Sequence, residues 1–274
     1  MNLIITAGGT SERIDTVRTI TNNATGRLGS LIAEEFSRKL IHKTHKIYYL
    51  CGIGAVVPTL ENVDTQIIRI EGTQQLQSEM NRLLNTQSIN AVIHSMAVSD
   101  YKVASITTAG LLAQDIVKEA NRFSELTTKE EWQKLILGAL QKQSIFGEQK
   151  ISSELENPLL ILEKTPKIIG MIKQISPQTI LVGFKLLSGV SKEELIETAY
   201  QLLKRNKCDY VFANDMTSMK DGNQEGYLID ERGDYKKLIS KRQIAEEIVD
   251  SILKKMEVQI EKHYNRGDGK YSSI

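Results

Sequence analysis

Short apolar runs alternate along this chain with longer stretches in which apolar residues recur every three or four positions. Runs of apolar and β-branched residues bounded by polar or small residues predict buried strands. They fall at Asn2 to Ala7, Lys46 to Leu50, Gln66 to Ile70, Ala91 to Met96, Thr179 to Phe184 and Asp209 to Ala213. Helical periodicity marks Leu28 to Lys39, Thr73 to Asn85, Pro166 to Gln174, Lys192 to Asn206 and Ser240 to Met256. Ser191 stands as an N-cap ahead of Glu193 and Glu194. Strands that alternate with helices predict an α/β fold, a doubly wound, mostly parallel Rossmann-like sheet.

The alternation is interrupted from Tyr101 to Leu155, where helical sequence at Leu111 to Arg122 and Lys129 to Lys142 comes with no clear strand. This stretch reads as an insertion that covers a site or meets a partner subunit. Asn223 to Glu231 and Tyr235 to Ile239 flank the turn Arg232-Gly233-Asp234 and predict a C-terminal antiparallel hairpin. The expected organisation is one α/β domain over residues 1–264, with the insertion at about 101–155 and a flexible tail at 265–274, rich in Gly, Ser and charge.

The 274 residues suffice for one large core, and 35 Lys and Arg against 34 Asp and Glu leave a formal charge of +1. No global field draws the chain to nucleic acid or to a membrane, so any attraction for phosphate is local. The sequence has neither a secretion signal nor an apolar run near the roughly 20 residues of a membrane span, which predicts a cytoplasmic protein. Cys51 and Cys208 belong to no CxxC pair and read as reduced structural thiols, and no metal-ligand spacing is evident. His42, His45, His94 and His263 share no spacing with a serine or cysteine nucleophile, which argues against a histidine-based hydrolase.

The chemistry concentrates near the start of the chain. Gly8-Gly9-Thr10 follows the first strand, at the carboxyl edge where open α/β sheets bind ligands. Thr10 and Ser11 add hydroxyl donors to the backbone amides that glycines leave accessible. A second small-residue turn, Asn22 to Gly29, leads into the next helix, whose first amides favour an anion. Arg13, Arg18 and Arg27 lie in the same span and offer planar forks to phosphate or carboxylate. Neither GxGxxG nor GxxxxGK[ST] is present, against a routine dehydrogenase or P-loop enzyme.

These residues carry a resemblance. Ile5 to Thr10, Ile14 to Arg18 and Thr21 to Gly29 match the long first motif of the phosphopantothenoylcysteine synthetase (phosphopantothenate-cysteine ligase) family, the amide-forming enzymes of coenzyme A biosynthesis. Ala97 to Tyr101, Lys150 to Ser153, Gly183 to Leu186 and Asp209 to Asp215 extend the likeness to about Ile239, and nothing resembles the flavin-dependent decarboxylase often fused ahead of this domain. The resemblance implies a free-standing, flavin-free ligase that joins 4′-phosphopantothenate to L-cysteine through an acyl-nucleotide, with CTP favoured over ATP, Mg²⁺ as cofactor and a homodimeric assembly. It implies catalytic roles for Asn22 and Lys150, and nucleotide contacts from Gly8, Gly9, Thr10, Thr25, Gly26, Arg27, Gly29, Asp100, Phe184 and Lys185. Substrate contacts fall to Asn22, Ala97 and Asn214, and the metal ligands stay unassigned. Leu202 and Asn206 stand where bacterial relatives carry lysines that reach the nucleotide, which leaves Lys204, Arg205 or Lys207 for that contact. The competing readings are a non-catalytic nucleotide-binding module and an NAD(P)-dependent oxidoreductase on a Rossmann-like fold.

Overall fold

The structure is a computed structural model that describes residues 1–40, 45–60, 63–120, 128–142, 152, 154–218 and 224–267. In chain order it runs β1 (Asn2–Ala7), β2 (Ser11–Arg13), β3 (Thr19–Thr21), α1 (Arg27–Lys39), β4 (Lys46–Gly52), β5 (Asp64–Ile70), α2 (Thr73–Thr86) and β6 (Ala91–His94). Then come β7 (Tyr101–Thr108), α3 (Ala109–Ala120), α4 (Lys129–Lys142) and β8 (Pro158–Lys164). The chain continues through α5 (Ile168–Ile175), β9 (Ile180–Leu187), α6 (Lys192–Asn206), β10 (Tyr210–Asp215), β11 (Gly226–Asp230), β12 (Tyr235–Leu238) and α7 (Lys241–Gly267).

An eight-stranded sheet has the order β12-β11-β10-β9-β6-β1-β4-β5. Its β5-to-β10 part is parallel, and β11 and β12 add the antiparallel hairpin foreseen from the sequence. The apolar alternation of the strands sorts them into two cores. Leu3, Ile5, Ala7, Ile47 and Tyr49 face α1 and α7 through Ile32, Phe36, Ile244 and Ile248. Ile4, Tyr48, Leu50 and Val92 face α2, α5 and α6 through Leu76, Met80, Ile172, Ala199 and Leu203. Cys51 and Cys208 are buried, free thiols in these cores, and burial pushes Cys208 up to about 12. Ser191 caps α6 by accepting the Glu194 amide at 3.1 Å.

The stretch from Tyr101 to Leu155 requires a correction. It opens on β7, which pairs antiparallel with β8, so the arm begins and ends in strands and reaches Lys164. The pattern was hard to read because the register slips between Val103 and Ser105, and because β8 (PLLILEK) leaves Leu159, Leu160 and Leu162 exposed. A small core of Val103, Ile106, Ile14, Ile20 and Leu155 ties this arm to the β2–β3 pair, another element the sequence reading did not foresee. Helix α7 runs to Gly267, beyond Asn265 where the tail was expected to start. Among the described residues, no helix is long and apolar enough to cross a membrane.

The chain leaves β1 toward β4 and β5 on one side, and leaves β6 toward β9 and β10 on the other. The carboxyl ends of β1 and β6 therefore diverge at a topological switch point, where such sheets open a crevice.

Candidate active site

Two loops meet at that switch point. Gly9 pairs with Ala97 as an isolated parallel bridge, the Thr10 amide donates to the Ala97 carbonyl at 3.1 Å, and the Ala97 amide donates to the Gly8 carbonyl at 2.8 Å. Gly26, at φ +74°, turns the chain into α1 in a left-handed conformation that glycine adopts without strain. No acidic side chain sits in the first turn of α1, so its terminal amides face the crevice without a built-in counter-charge.

The crevice is a cavity of about 670 Å³, the size of a small-molecule site. Gly8, Asn23 to Gly29, His94 to Asp100, Thr165 to Ile169, Phe184 to Leu186 and Arg205 form much of its wall. Its charge is lopsided: among the described residues, Arg27, Lys167, Lys185, Arg205 and Lys241 line it against one carboxylate, Asp100. A protein of net charge +1 thus has a local excess of cations where two loops present amides, although Arg27 also pairs with Glu34 at 3.5 Å. Lys167 pairs with Asp100 at the rim, where both side chains are largely exposed.

Most residues named from the sequence converge here. Gly8, Thr25, Gly26, Arg27, Gly29, Ala97, Asp100, Phe184, Lys185 and Asn214 line the cavity. The Phe184 ring is half-buried and tilted against Phe212 at 5.9 Å between centroids, so it serves the core as well as the wall. Asn214 is buried, and among the described residues its Nδ2 has no hydrogen-bond partner. Beside it, Asp215 accepts from Thr217, Gly189 and Val190, which holds its carboxyl far below the usual carboxylate range and joins the exits of β9 and β10.

Other expected residues lie behind the wall. The Thr10 hydroxyl is fully buried, donates to Ser99 Oγ at 3.0 Å and accepts the Ser99 amide at 2.8 Å, which removes it from direct phosphate contact. A Cβ on Gly9 would stand 2.0 Å from the Asn22 carbonyl oxygen, so this glycine exists for the close approach of two loops. Asn22 itself donates through Nδ2 to the Ala97 carbonyl at 3.1 Å. Of the three arginines expected to bind phosphate, only Arg27 reaches the cavity. Arg13 forms a bidentate pair with Glu71 at 2.7 and 3.0 Å, and Arg18 pairs with Asp15 at 3.5 Å. Lys150 lies outside the described residues.

Sequence reasoning missed His94, Ser95, Thr165, Lys167, Gln224 and Lys241, all on the wall. His94 and Ser95 could have been found from their place at a strand's carboxyl end. Thr165 and Lys167 arrive only because β8 returns beside β7, with the Thr165 amide donating to the Asp100 carbonyl at 3.0 Å. Arg205 singles itself out from its neighbours, since Lys204 lies over the Tyr200 ring and reaches the Glu231 carbonyl instead. Among the described residues, no group of three or more His, Cys, Asp or Glu could hold a metal ion by itself.

The family profile of the DNA/pantothenate metabolism flavoprotein C-terminal domain matches residues 1–136 and 140–256. The bifunctional coenzyme A biosynthesis protein CoaBC of Thermococcus kodakarensis is 29% identical over 92% of this chain and 51% of its own length, so the chain spans about half of that relative. The crystal structure of the DNA/pantothenate metabolism flavoprotein from Streptococcus pneumoniae is 32% identical, covers 92% of this chain and 98% of its own, and superposes with a TM-score of 0.73. A structure of a Cab2 variant in complex with phosphopantothenate-cysteine shares the fold at a TM-score of 0.60 and 15% identity, covering 96% of this chain and 88% of its own.

Proposed function

Because the chain belongs to the DNA/pantothenate metabolism flavoprotein C-terminal domain family, we propose that it is a ligase joining 4′-phosphopantothenate to L-cysteine in coenzyme A biosynthesis. The observation that carries this reading is the cavity itself: most of the motif residues gather around one crevice in which, among the described residues, five cations face a single carboxylate. Such a wall suits two polyanions held together, and a nucleoside triphosphate with a phosphorylated acid is that pair.

A carboxylate is a poor electrophile. Transfer of a nucleotidyl group from the triphosphate to the carboxylate of phosphopantothenate releases pyrophosphate and converts a carboxylate oxygen into a leaving group. The amine of cysteine then attacks the acyl carbon, the amide forms, and the nucleoside monophosphate departs. Gly8, Thr25, Gly26, Gly29 and Arg27 supply amides and a guanidinium to phosphate oxygens, with Gly9 and Thr10 shaping the loop behind them. Lys185 and Arg205 add charge, and Phe184 supplies a face for the base. Lys150 neutralises the phosphorane, a role drawn from the family resemblance. Ala97 and Asn214 contact phosphopantothenate from the wall, Asn22 does so from the adjoining loop in the role the family resemblance gives it, and holding both reactants in one pocket lowers the entropic barrier.

CTP is the favoured nucleotide, with ATP the alternative. For Mg²⁺, Asp100 is the carboxylate on the wall, and it would have to exchange its Lys167 partner for the ion, which magnesium sites built from one or two carboxylates plus substrate phosphates allow. Bound there, the ion would neutralise triphosphate charge. The working unit is proposed to be a cytoplasmic homodimer formed through the β7–β8 arm, where Tyr101, Leu159, Leu160 and Leu162 are exposed.

The test is pyrophosphate release by the purified chain with CTP or ATP, with and without phosphopantothenate. Release only when both are present is expected, and Lys150→Gln should abolish it. Triphosphate binding without turnover, in the presence of every co-substrate, would favour a non-catalytic module instead.

A further inference from the structure

His94 ends β6 on the wall of the cavity and is 7% exposed. Its ring is held from one side. Nδ1 lies 3.1 Å from the Thr6 hydroxyl, and that hydroxyl accepts the Met96 amide at 3.1 Å. Thr6 is fully buried, and its one hydroxyl proton has no other acceptor among the described residues. Leaving a buried proton without an acceptor is costly, so the Thr6 hydroxyl donates to Nδ1 and the ring proton sits on Nε2. Ser95 Oγ donates to the Thr6 carbonyl at 2.5 Å and fixes the same turn. Nε2 has no hydrogen-bond partner among the described residues, and His94 is one of the residues that line the cavity.

On the ligase reading above, we infer that His94 is a substrate-contacting residue whose neutral Nε2–H donates a hydrogen bond to an anionic oxygen of the bound polyanion. Among the described residues the wall already holds five cations, so a neutral donor adds an oriented hydrogen bond without adding like charge. Burial pushes the His94 imidazole down to about 4, which keeps the ring neutral at physiological pH. With Nδ1 occupied and Nε2 protonated, His94 is a donor in this geometry and not the base that takes the proton of the cysteine amine.

The oxygen belongs to the triphosphate or to phosphopantothenate, and one experiment separates them. Long-range ¹H–¹⁵N spectra of the full chain labelled on histidine nitrogens, with His94→Gln for assignment, report the tautomer directly. The expected result is a bare Nδ1 and a protonated Nε2, with the Nε2 signal moving when CTP, ATP or phosphopantothenate is added alone, and the ligand that moves it is the partner. Thr6→Val should release the tautomer preference. In turnover, His94→Leu should lower kcat/KM by about 10- to 100-fold, the range of one hydrogen bond to a charged group, and His94→Gln should restore part of it. An Nδ1–H tautomer, or an Nε2 signal unmoved by every ligand, overturns the inference even if His94→Leu fails to fold. If the wild-type chain binds these ligands but turns nothing over, the ligase reading fails instead, and the spectra still decide the contact.

Discussion

The side-chain amide of Asn22 donates to the backbone carbonyl of Ala97 across 3.1 Å, so the loop before α1 is bound to the loop after β6. One Nδ2 hydrogen is engaged there, which leaves the second N–H and Oδ1 for a ligand, and Oδ1 suits an incoming amine. Asn22→Asp places an acceptor against the carbonyl and removes the donor. We predict a loss of about 1–3 kcal/mol in stability and accumulation of the acyl-nucleotide under rapid quench. Turnover by the variant at the wild-type rate would remove Asn22 from the second half-reaction.

Arg205 lines the cavity, whereas Lys204 is held over Tyr200. Arg205→Ala should raise the KM for the triphosphate by about tenfold or more, and Lys204→Ala and Lys207→Ala should leave it near wild type. Steady-state kinetics on the three variants decides the assignment that the sequence left open.

Gly9→Ala tests the packing of the two loops. The added methyl would meet the Asn22 carbonyl oxygen at 2.0 Å, with backbone rather than a flexible side chain as the obstacle. Overpacking of this kind costs about 1–3 kcal/mol, and triphosphate binding by calorimetry should weaken together with the denaturation midpoint.

The parallel sheet was legible because its strands are continuous apolar runs and its helices carry strong one-sided patterns. Lys192 to Asn206 was read with its observed bounds, cap included. The arm was not legible, because among the described residues β7 and β8 pair only with each other and leave Leu160 and Leu162 half in solvent, so neither shows clean alternation. At the site, Gly26 and Arg27 could be read from position, since they open a helix, whereas Asp100 was reached only through the family resemblance. Thr10 was misread for a reason specific to loops: a hydroxyl in a glycine turn can face ligand or scaffold, and only the arrival of Ser99 decides it. Lys167 and Lys241 reach the cavity through tertiary crossings that no local pattern encodes.

The buried His94 also gives the fold an acid slope. Its folded-state value of about 4 lies below the ordinary 6.5, so between those limits the unfolded chain holds a proton that the fold does not. Stability therefore rises with pH across that window, is complete above about 6.5, and falls away toward pH 4. From pH 7 to pH 4 the wild-type chain should lose on the order of 3 kcal/mol more than His94→Gln. Urea denaturation at several pH values reads this as a difference in slope, independent of any offset in absolute stability.

The central claim is activation of a carboxylate by nucleotidyl transfer, and isotope transfer tests it most directly. Phosphopantothenate labelled with ¹⁸O in its carboxylate is turned over with cysteine and CTP or ATP, and the products are weighed by mass spectrometry. The account predicts one ¹⁸O in the released nucleoside monophosphate and none in pyrophosphate. Label in orthophosphate alongside a nucleoside diphosphate, or amide formed with no label in the nucleotide, would contradict it.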